Sequence, residues 1–314
     1  MSCGFRLMRR LFAWLACLAA LFVFPAHADG VVHLLVSEEG GVYREAVDAF
    51  RTAFAAQRPV RVWQTADLDG RQLRALTAEN DLIVPIGLKA ARFVAENHAG
   101  RAAVLTLMVP RVSGERLNWP PNLPRRKLSL VYIDQPASRS LGLLAAVFPH
   151  ATRVGLVVSG ENADTAKVLQ QEAARRHLTL IVETIARPED VAPALRSVLP
   201  ESDVLLLVPD SLAINASNAQ NVLLTTYRYR VPAVGFSQGL SRAGAVAVAY
   251  SSPVQIGREG AQLAAHWKPE SGELPAAKYA DEFSIAFNTH VARSLGLVLP
   301  ELGEVQRKLG AQDE

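Results

Sequence analysis

Cysteine is nearly absent. The 314-residue chain has two, Cys3 and Cys17, and both fall within the first 28 residues. Those residues read as an export leader. Arg6, Arg9 and Arg10 form a positive start, Leu11 to Phe24 an apolar stretch, and Pro25-Ala26-His27-Ala28 ends in A-x-A, which predicts cleavage before Asp29. The apolar stretch is too short for a stable spanning helix of about 20 residues. Leu15-Ala16-Cys17 loosely matches a lipidation signal, but Trp14 stands where a leucine is wanted. A chain cleaved at Asp29 has no thiol, so disulfides and thiolate metal sites are excluded.

Net charge is lacking too. The whole chain carries Lys+Arg 33 against Asp+Glu 30, and the leader's three arginines account for the excess. No basic patch remains to suggest a nucleic-acid partner. Tyr227-Arg228-Tyr229-Arg230 mixes aromatics with cations, but it lies at a helix end and reads as a solvated face. No second long apolar run and no low-complexity linker follow the leader. H-E-x-x-H, a carboxylate-rich calcium loop and a G-x-G-x-x-G after a strand are all missing, so neither a metal nor a cofactor is expected.

What the chain does have is alternation. Short apolar runs predict strands at Val31–Val36, Val60–Trp63, Leu82–Ile86, Val104–Val109 and Leu128–Ile133. Helical spacing lies between them, as in Val42, Ala46, Ala49, Phe50 and Ala53. The stretch from Arg111 to Lys127 follows Pro110, holds Pro120, Pro121 and Pro124, and reads as a long loop. The rhythm then restarts, with strands at Val154–Val158, Leu178–Thr184, Val204–Val208, Val231–Phe236, Ala245–Tyr250 and Phe283–Phe287. Apolar strands alternating with helices imply parallel sheets covered on both faces, and eleven strands are too many for one ordinary open sheet. The expected fold is therefore α/β, with two Rossmann-like lobes.

Ligands of open parallel sheets sit beyond the carboxyl ends of the strands. That rule selects Ser37, Glu38, Gly87, Asp134, Gln135, Asp210, Asn215, Phe236, Ser237, Gln238, Tyr250 and Ser251 as candidate ligand-binding residues. Several have a structural alternative. Asp210 could accept a ligand ammonium or cap a helix, Asp134 could bind or hold a hinge, and Glu38 could simply face solvent. Phe236 and Tyr250 are the candidate aromatic walls. Gly235-Phe236-Ser237-Gln238-Gly239 also fits G-x-S-x-G, the turn that exposes a hydrolase nucleophile. No HGGG-type loop precedes it, however, and the downstream histidines His266 and His290 are poorly placed for a triad. The loop therefore reads as a pocket wall, with an exported serine hydrolase as the alternative.

The second half carries a set of phrases in a characteristic order. They are Tyr132-Ile133-Asp134-Gln135-Pro136, Leu223 to Pro232, Tyr250-Ser251-Ser252-Pro253-Val254-Gln255-Ile256-Gly257 and Phe287-Asn288-Thr289-His290. Together these resemble the ABC-transporter substrate-binding proteins related to tryptophan and tyrosine uptake, over residues 128 to 300. The resemblance implies a type I periplasmic binding protein, with lobes joined by a three-strand hinge crossing near 134–137, 249–252 and 280–284. One lobe would comprise 29–135 plus 252–281, the other 136–251 plus 282–314. It implies a non-enzymatic, monomeric periplasmic receptor that serves a permease of the inner membrane, or alternatively feeds a sensor. An aspartate-proline turn common in that group is missing between Met108 and Pro124, which leaves the ligand open.

Overall fold

The computed structural model describes residues 30–54, 58–76 and 80–313. The leader and its predicted cleavage site lie outside the described residues. The first sheet contains β1 (Val32–Val36), β2 (Val60–Gln64), β3 (Leu82–Ile86), β4 (Ala103–Val109), β5 (Leu128–Tyr132) and, far along the chain, β11 (Lys278–Tyr279), in the order β11-β5-β4-β3-β1-β2. All its pairings are parallel. The second contains β6 (Arg153–Ser159), β7 (Thr179–Ile185), β8 (Val204–Leu206), β9 (Ala233–Gly235), β10 (Ala247–Tyr250) and β12 (Ser284–Phe287), in the order β12-β10-β9-β8-β6-β7. Its one antiparallel pair is β10 with β12. Two sheets of mostly parallel strands meet the expectation from the alternating pattern.

Helices cover both faces of each sheet. In the first lobe these are α1 (Gly41–Phe54), α2 (Gly70–Leu76), α3 (Leu88–Asn97) and α4 (Arg111–Glu115). In the second they are α5 (Ala137–Val147), α6 (Ala163–Arg175), α7 (Val191–Val198), α8 (Ala219–Arg228) and α9 (Gln238–Ala243). Then α10 (Pro253–Ala265) returns to the first lobe, and α11 (Thr289–Ser294) and α12 (Leu302–Asp313) close the second. Alternate residues of one strand enter different cores. Leu34 of β1 packs with Phe50 and Phe54 on one face, and Leu35 packs with Leu73 and Val94 on the other. Every residue of β1, β3 and β4 is buried, as expected of strands covered on both sides.

The return of α10 to the first lobe is written locally. Ser252 and Gln255 form a reciprocal capping box with Pro253 at the first turn, a combination that starts helices. The helix lies on α1 so closely that a β-carbon at Gly257 would stand 2.3 Å from the Ala46 carbonyl oxygen.

Three differences from the sequence reading have physical causes. The Arg111–Lys127 stretch is not wholly irregular. It opens with α4, whose Gly114 lets the turn lie against Leu130, where a β-carbon would stand 2.6 Å from that side chain. Strand β11 is two residues long and carries no pattern of its own. Helix α12 has an apolar face reduced to Val305 and Leu309 as its buried members, too sparse to mark a period.

Gly257→Ala should lower stability by about 1–3 kcal/mol, the usual cost of overpacking. The loss should appear even though alanine is the better helix former by about 1 kcal/mol. Gly310→Ala, in α12 with nothing within 4 Å of an added β-carbon, should stabilise or be neutral. Urea melts of the two variants check the contrast.

Candidate functional site

The carboxyl ends of the strands of both sheets face a cavity of about 650 Å³, within the size range of small-molecule sites. The first lobe lines it with Leu88 at the start of α3, with Pro110 just before α4, and with Val112 and Ser113 of α4. The second lobe contributes Asn162, Asp210, Ile214 and Asn215 on one side and Phe236, Ser237 and Leu240 on the other. Asp134 stands where β5 crosses into the second lobe. Strand β4 delivers α4 to the cleft through a bend: Met108 adopts φ 58°, and the β4–β5 register shifts between Leu107 and Val109. Such left-handed backbone is uncommon outside glycine, and bulges of this kind re-aim a strand beside a site.

Asp210 lines the cavity but is fully engaged inside the protein. One carboxylate oxygen accepts from the Ser159 N–H (2.7 Å), the Ser159 hydroxyl (2.9 Å) and Asn162 Nδ2 (2.7 Å). The other accepts from the Leu212 and Ala213 N–H groups, both at 2.9 Å. Five donors fill what a carboxylate can accept, so Asp210 ties the β6 end to the β8 loop. Asn215 turns its own loop, its Oδ1 accepting from the Ser217 N–H and hydroxyl at 2.9 and 2.6 Å. Asn218 reaches back through Nδ2 to the Leu212 carbonyl at 2.8 Å. This wall of the cavity is rigid because its polar groups bind one another.

Asp134 differs. Its Oδ1 accepts the Arg111 N–H at 2.8 Å. Burial pushes its carboxyl from 3.8 up to about 6; the Arg111 hydrogen bond and charge pull it back, and the Glu115 charge adds to the rise. The Arg111 guanidinium is divided. It pairs with Glu115 at 3.1 Å and reaches across the cleft to the Thr165 hydroxyl at 3.2 Å. Arg116 makes a second crossing, to the Glu161 carbonyl at 3.0 Å. Tyr132 donates to Glu115 at 3.1 Å and stacks edge-on against Tyr279.

Of the residues chosen from the sequence, Asp134, Asp210, Asn215, Phe236 and Ser237 share this cavity. The others lie elsewhere. Ser37 is buried, donating to the Ile86 carbonyl and accepting the Ala90 N–H, both at 2.9 Å, so it caps α3. Gly87 has φ 90°, and a β-carbon there would meet Ser37 Oγ at 2.6 Å, so its reason is backbone packing rather than ligand access. Glu38 is exposed in a shallow depression outside the cavity, and Gln238 is exposed on α9. Tyr250 packs into the second lobe's core. Gln135 and Ser251 belong to the hinge: Gln135 Nε2 donates to Ser251 Oγ at 3.1 Å, and Ser251 donates to the Glu282 carbonyl at 2.9 Å. The sequence reading missed Leu88, Val112 and Ser113. Arg111 and Glu115, four apart, were the available helical signal for α4, obscured by the prolines that follow.

Ser237 is the N-cap of α9, its Oγ accepting the Leu240 N–H at 3.2 Å, with ordinary extended dihedrals of −146° and 151°. A nucleophile elbow requires a strained turn, and no histidine is among the residues lining the cavity. Among the described residues no group of three His, Cys, Asp or Glu side chains is placed to hold a metal ion.

Residues 65–305 match the family model of the ABC transporter substrate binding protein. No curated protein matches the sequence. Among solved structures, a conserved domain protein from Vibrio cholerae is 18% identical, with TM-score 0.64 over 89% of this chain and 98% of that one. An ABC domain in complex with L-Trp from Streptococcus pneumonia is 15% identical, with TM-score 0.61 over 89% and 98%. A ligand-free, open substrate binding protein with adhesive properties from Clostridium difficile is 17% identical, with TM-score 0.66 over 87% and 96%. At these identities the likeness shows the fold, the two-lobed type I periplasmic binding protein.

Two outcomes follow from the carboxylates. Asp210→Ala strips five donors of their acceptor and should cost about 3 kcal/mol or more, against about 1 kcal/mol for the cap lost in Ser237→Ala; urea melts rank them. Asp134 is the opposite case. Between about pH 4 and 6 the folded state holds a proton that the unfolded state has released. Its stabilising contribution is full below pH 4 and is lost as pH rises through 6. The stability difference between parent and Asp134→Asn should therefore slope across that window, and a flat difference would contradict the burial of this carboxyl.

Proposed function

The chain belongs to the ABC transporter substrate binding protein family, and from that premise we propose that it is an exported receptor that captures a small organic molecule between its lobes. On this reading it works as a monomer in the periplasm, released from its leader, and hands its cargo to a permease of the inner membrane. The observation that carries the proposal is the placement of the cavity. It lies at the carboxyl edge of both sheets, walled by both lobes and floored by the hinge, where opening and closing would admit and enclose a ligand. A ligand that touches both walls binds the closed arrangement better than the open one, and that difference drives closure.

The two walls would have unlike tasks. The Asp210–Asn215 wall is cross-linked internally and presents a fixed surface. The α4 wall is a short turn held by Arg111 and Arg116, both of which reach the second lobe. Phe236, Val112, Leu88 and Leu240 supply apolar surface, and contact with it favours a ligand with an apolar body. The relative from Streptococcus holding L-Trp supports a ligand of about that size with an apolar, aromatic body.

A thermal-shift screen of amino acids, amines and small organic acids tests the proposal. A true ligand at a hundred-fold excess over Kd should stabilise the protein by about 2.7 kcal/mol. It should also reduce the radius of gyration in solution scattering. Phe236→Ala should weaken that ligand while the fold persists. A library that leaves both melting and scattering unchanged argues against a solute-binding role.

A further inference from the structure

Resting on the solute-binding reading, we propose that the ligand is an organic ammonium with an apolar body and no free carboxylate, its cationic group seated against Asp134. The sequence left Asp210 open between accepting a ligand ammonium or hydroxyl and capping a helix. The structure moves that role, because Asp210 already receives five internal donors. Asp134 receives the Arg111 N–H and its own backbone N–H, which leaves acceptor capacity on a carboxylate that can take about four hydrogen bonds.

Charge points the same way. Asp134, Glu161 and Asp210 line the cavity, and among the described residues no lysine, arginine or histidine does; Arg111 lines the small pocket beside it that shares Asp134 and Phe236. Beside Asp134, the Arg111 guanidinium is paired with Glu115, so one cation stands among two carboxylates and the deep end of the cleft is net negative. A partly buried charge without its full complement of partners is costly, and a ligand ammonium at this place would complete the set. Arg92 and Arg116 lie in the adjoining mouth, but with Glu96 and Glu161, so the entrance is balanced rather than basic.

A ligand carboxylate finds no cationic side chain among the described residues of this lining. Helix N-termini attract anions, and those of α3, α4, α8 and α9 border the cavity, each with one first-turn donor already engaged inside the protein. Ser37 Oγ takes the Ala90 N–H of α3, Asp134 the Arg111 N–H of α4, the Asn215 carbonyl the Ala219 N–H of α8, and Ser237 Oγ the Leu240 N–H of α9. The remainder of the lining is largely apolar, with Phe236 offering a ring face that a cation can also approach favourably.

Three probes with one aromatic body separate the cases: 2-phenylethylamine, phenylalanine and 3-phenylpropanoate, each titrated by calorimetry against the parent protein near pH 7.5. The amine should bind about tenfold or more tightly than phenylalanine, and the propanoate should give no heat. Asp134→Asn, shown folded by its urea melt, should weaken the amine by about tenfold or more, as expected when a charged partner is removed. Should that variant not fold, the comparison of the three probes on the parent decides alone. Phenylalanine or the propanoate binding as well as the amine overturns the proposal, as does amine affinity unchanged in Asp134→Asn. If none of the three binds, the ammonium assignment falls, whereas the solute-binding role falls only if the wider library also fails.

Discussion

A buried chain of hydrogen bonds joins the three places where the polypeptide passes between lobes. Gln135 in the first crossing donates to Ser251 in the second, and Ser251 donates to the Glu282 carbonyl in the third. Arg139 completes the seam. It donates to Gln135 Oε1 at 2.5 Å and to the Ala280 carbonyl at 3.2 Å, and lies over the Phe283 ring at 4.0 Å. Three separate crossings could each bend in their own way. Stitched together they bend as one, because opening any link would leave a buried polar group unpaired at a cost of about 1–3 kcal/mol. Any rotation of one lobe against the other would have to turn these crossings together.

The seam sets the chemistry of the cleft through one residue. Asp134 precedes Gln135, so the carboxyl on the cavity floor is fixed by the same backbone that carries the hinge. Its neighbour Arg111 donates its backbone N–H to Asp134 and its guanidinium to Thr165 of the other lobe. Hinge, floor and cross-cleft arm thus meet within a few residues. Asp210, by contrast, is spent on holding its own wall together. Two aspartates at equivalent strand ends have opposite roles, and the difference is how many internal donors reach each one.

That difference explains how much could be read from the sequence. The two sheets were legible, because period-two burial on both faces leaves uninterrupted apolar runs such as Leu82–Ile86 and Val104–Val109. The phrases around the crossings were legible too, since Ser252-Pro253-Val254-Gln255 states a helix start in four residues. Strand-end position collected Asp134, Asp210, Asn215, Phe236 and Ser237 into one cavity. It could not separate them from Ser37 and Gly87, which occupy the same kind of position but turn toward each other beneath α3. A strand end fixes where a residue sits; hydrogen-bond partners from distant segments decide which way it faces. Ser37 pairs with residues 49 and 53 positions away, and no local pattern encodes that.

The α4 wall is the sharpest instance. Prolines on either side obscure its one local signal, the Arg111–Glu115 pair four apart, and the turn is also supported because Gly114 permits contact with Leu130 and because Arg111 finds Asp134 and Thr165. All but the Arg111–Glu115 pair are tertiary. Such an element has little reason to keep its shape away from its partners, while the opposite wall keeps its shape by internal bonds alone. Closure of a cleft needs one surface that defines the fit and one that can adjust to it, and the two walls here divide along that line. The segment least readable from sequence is also the one whose main supports, Leu130, Asp134 and Thr165, lie far along the chain, which is why no local pattern announces it.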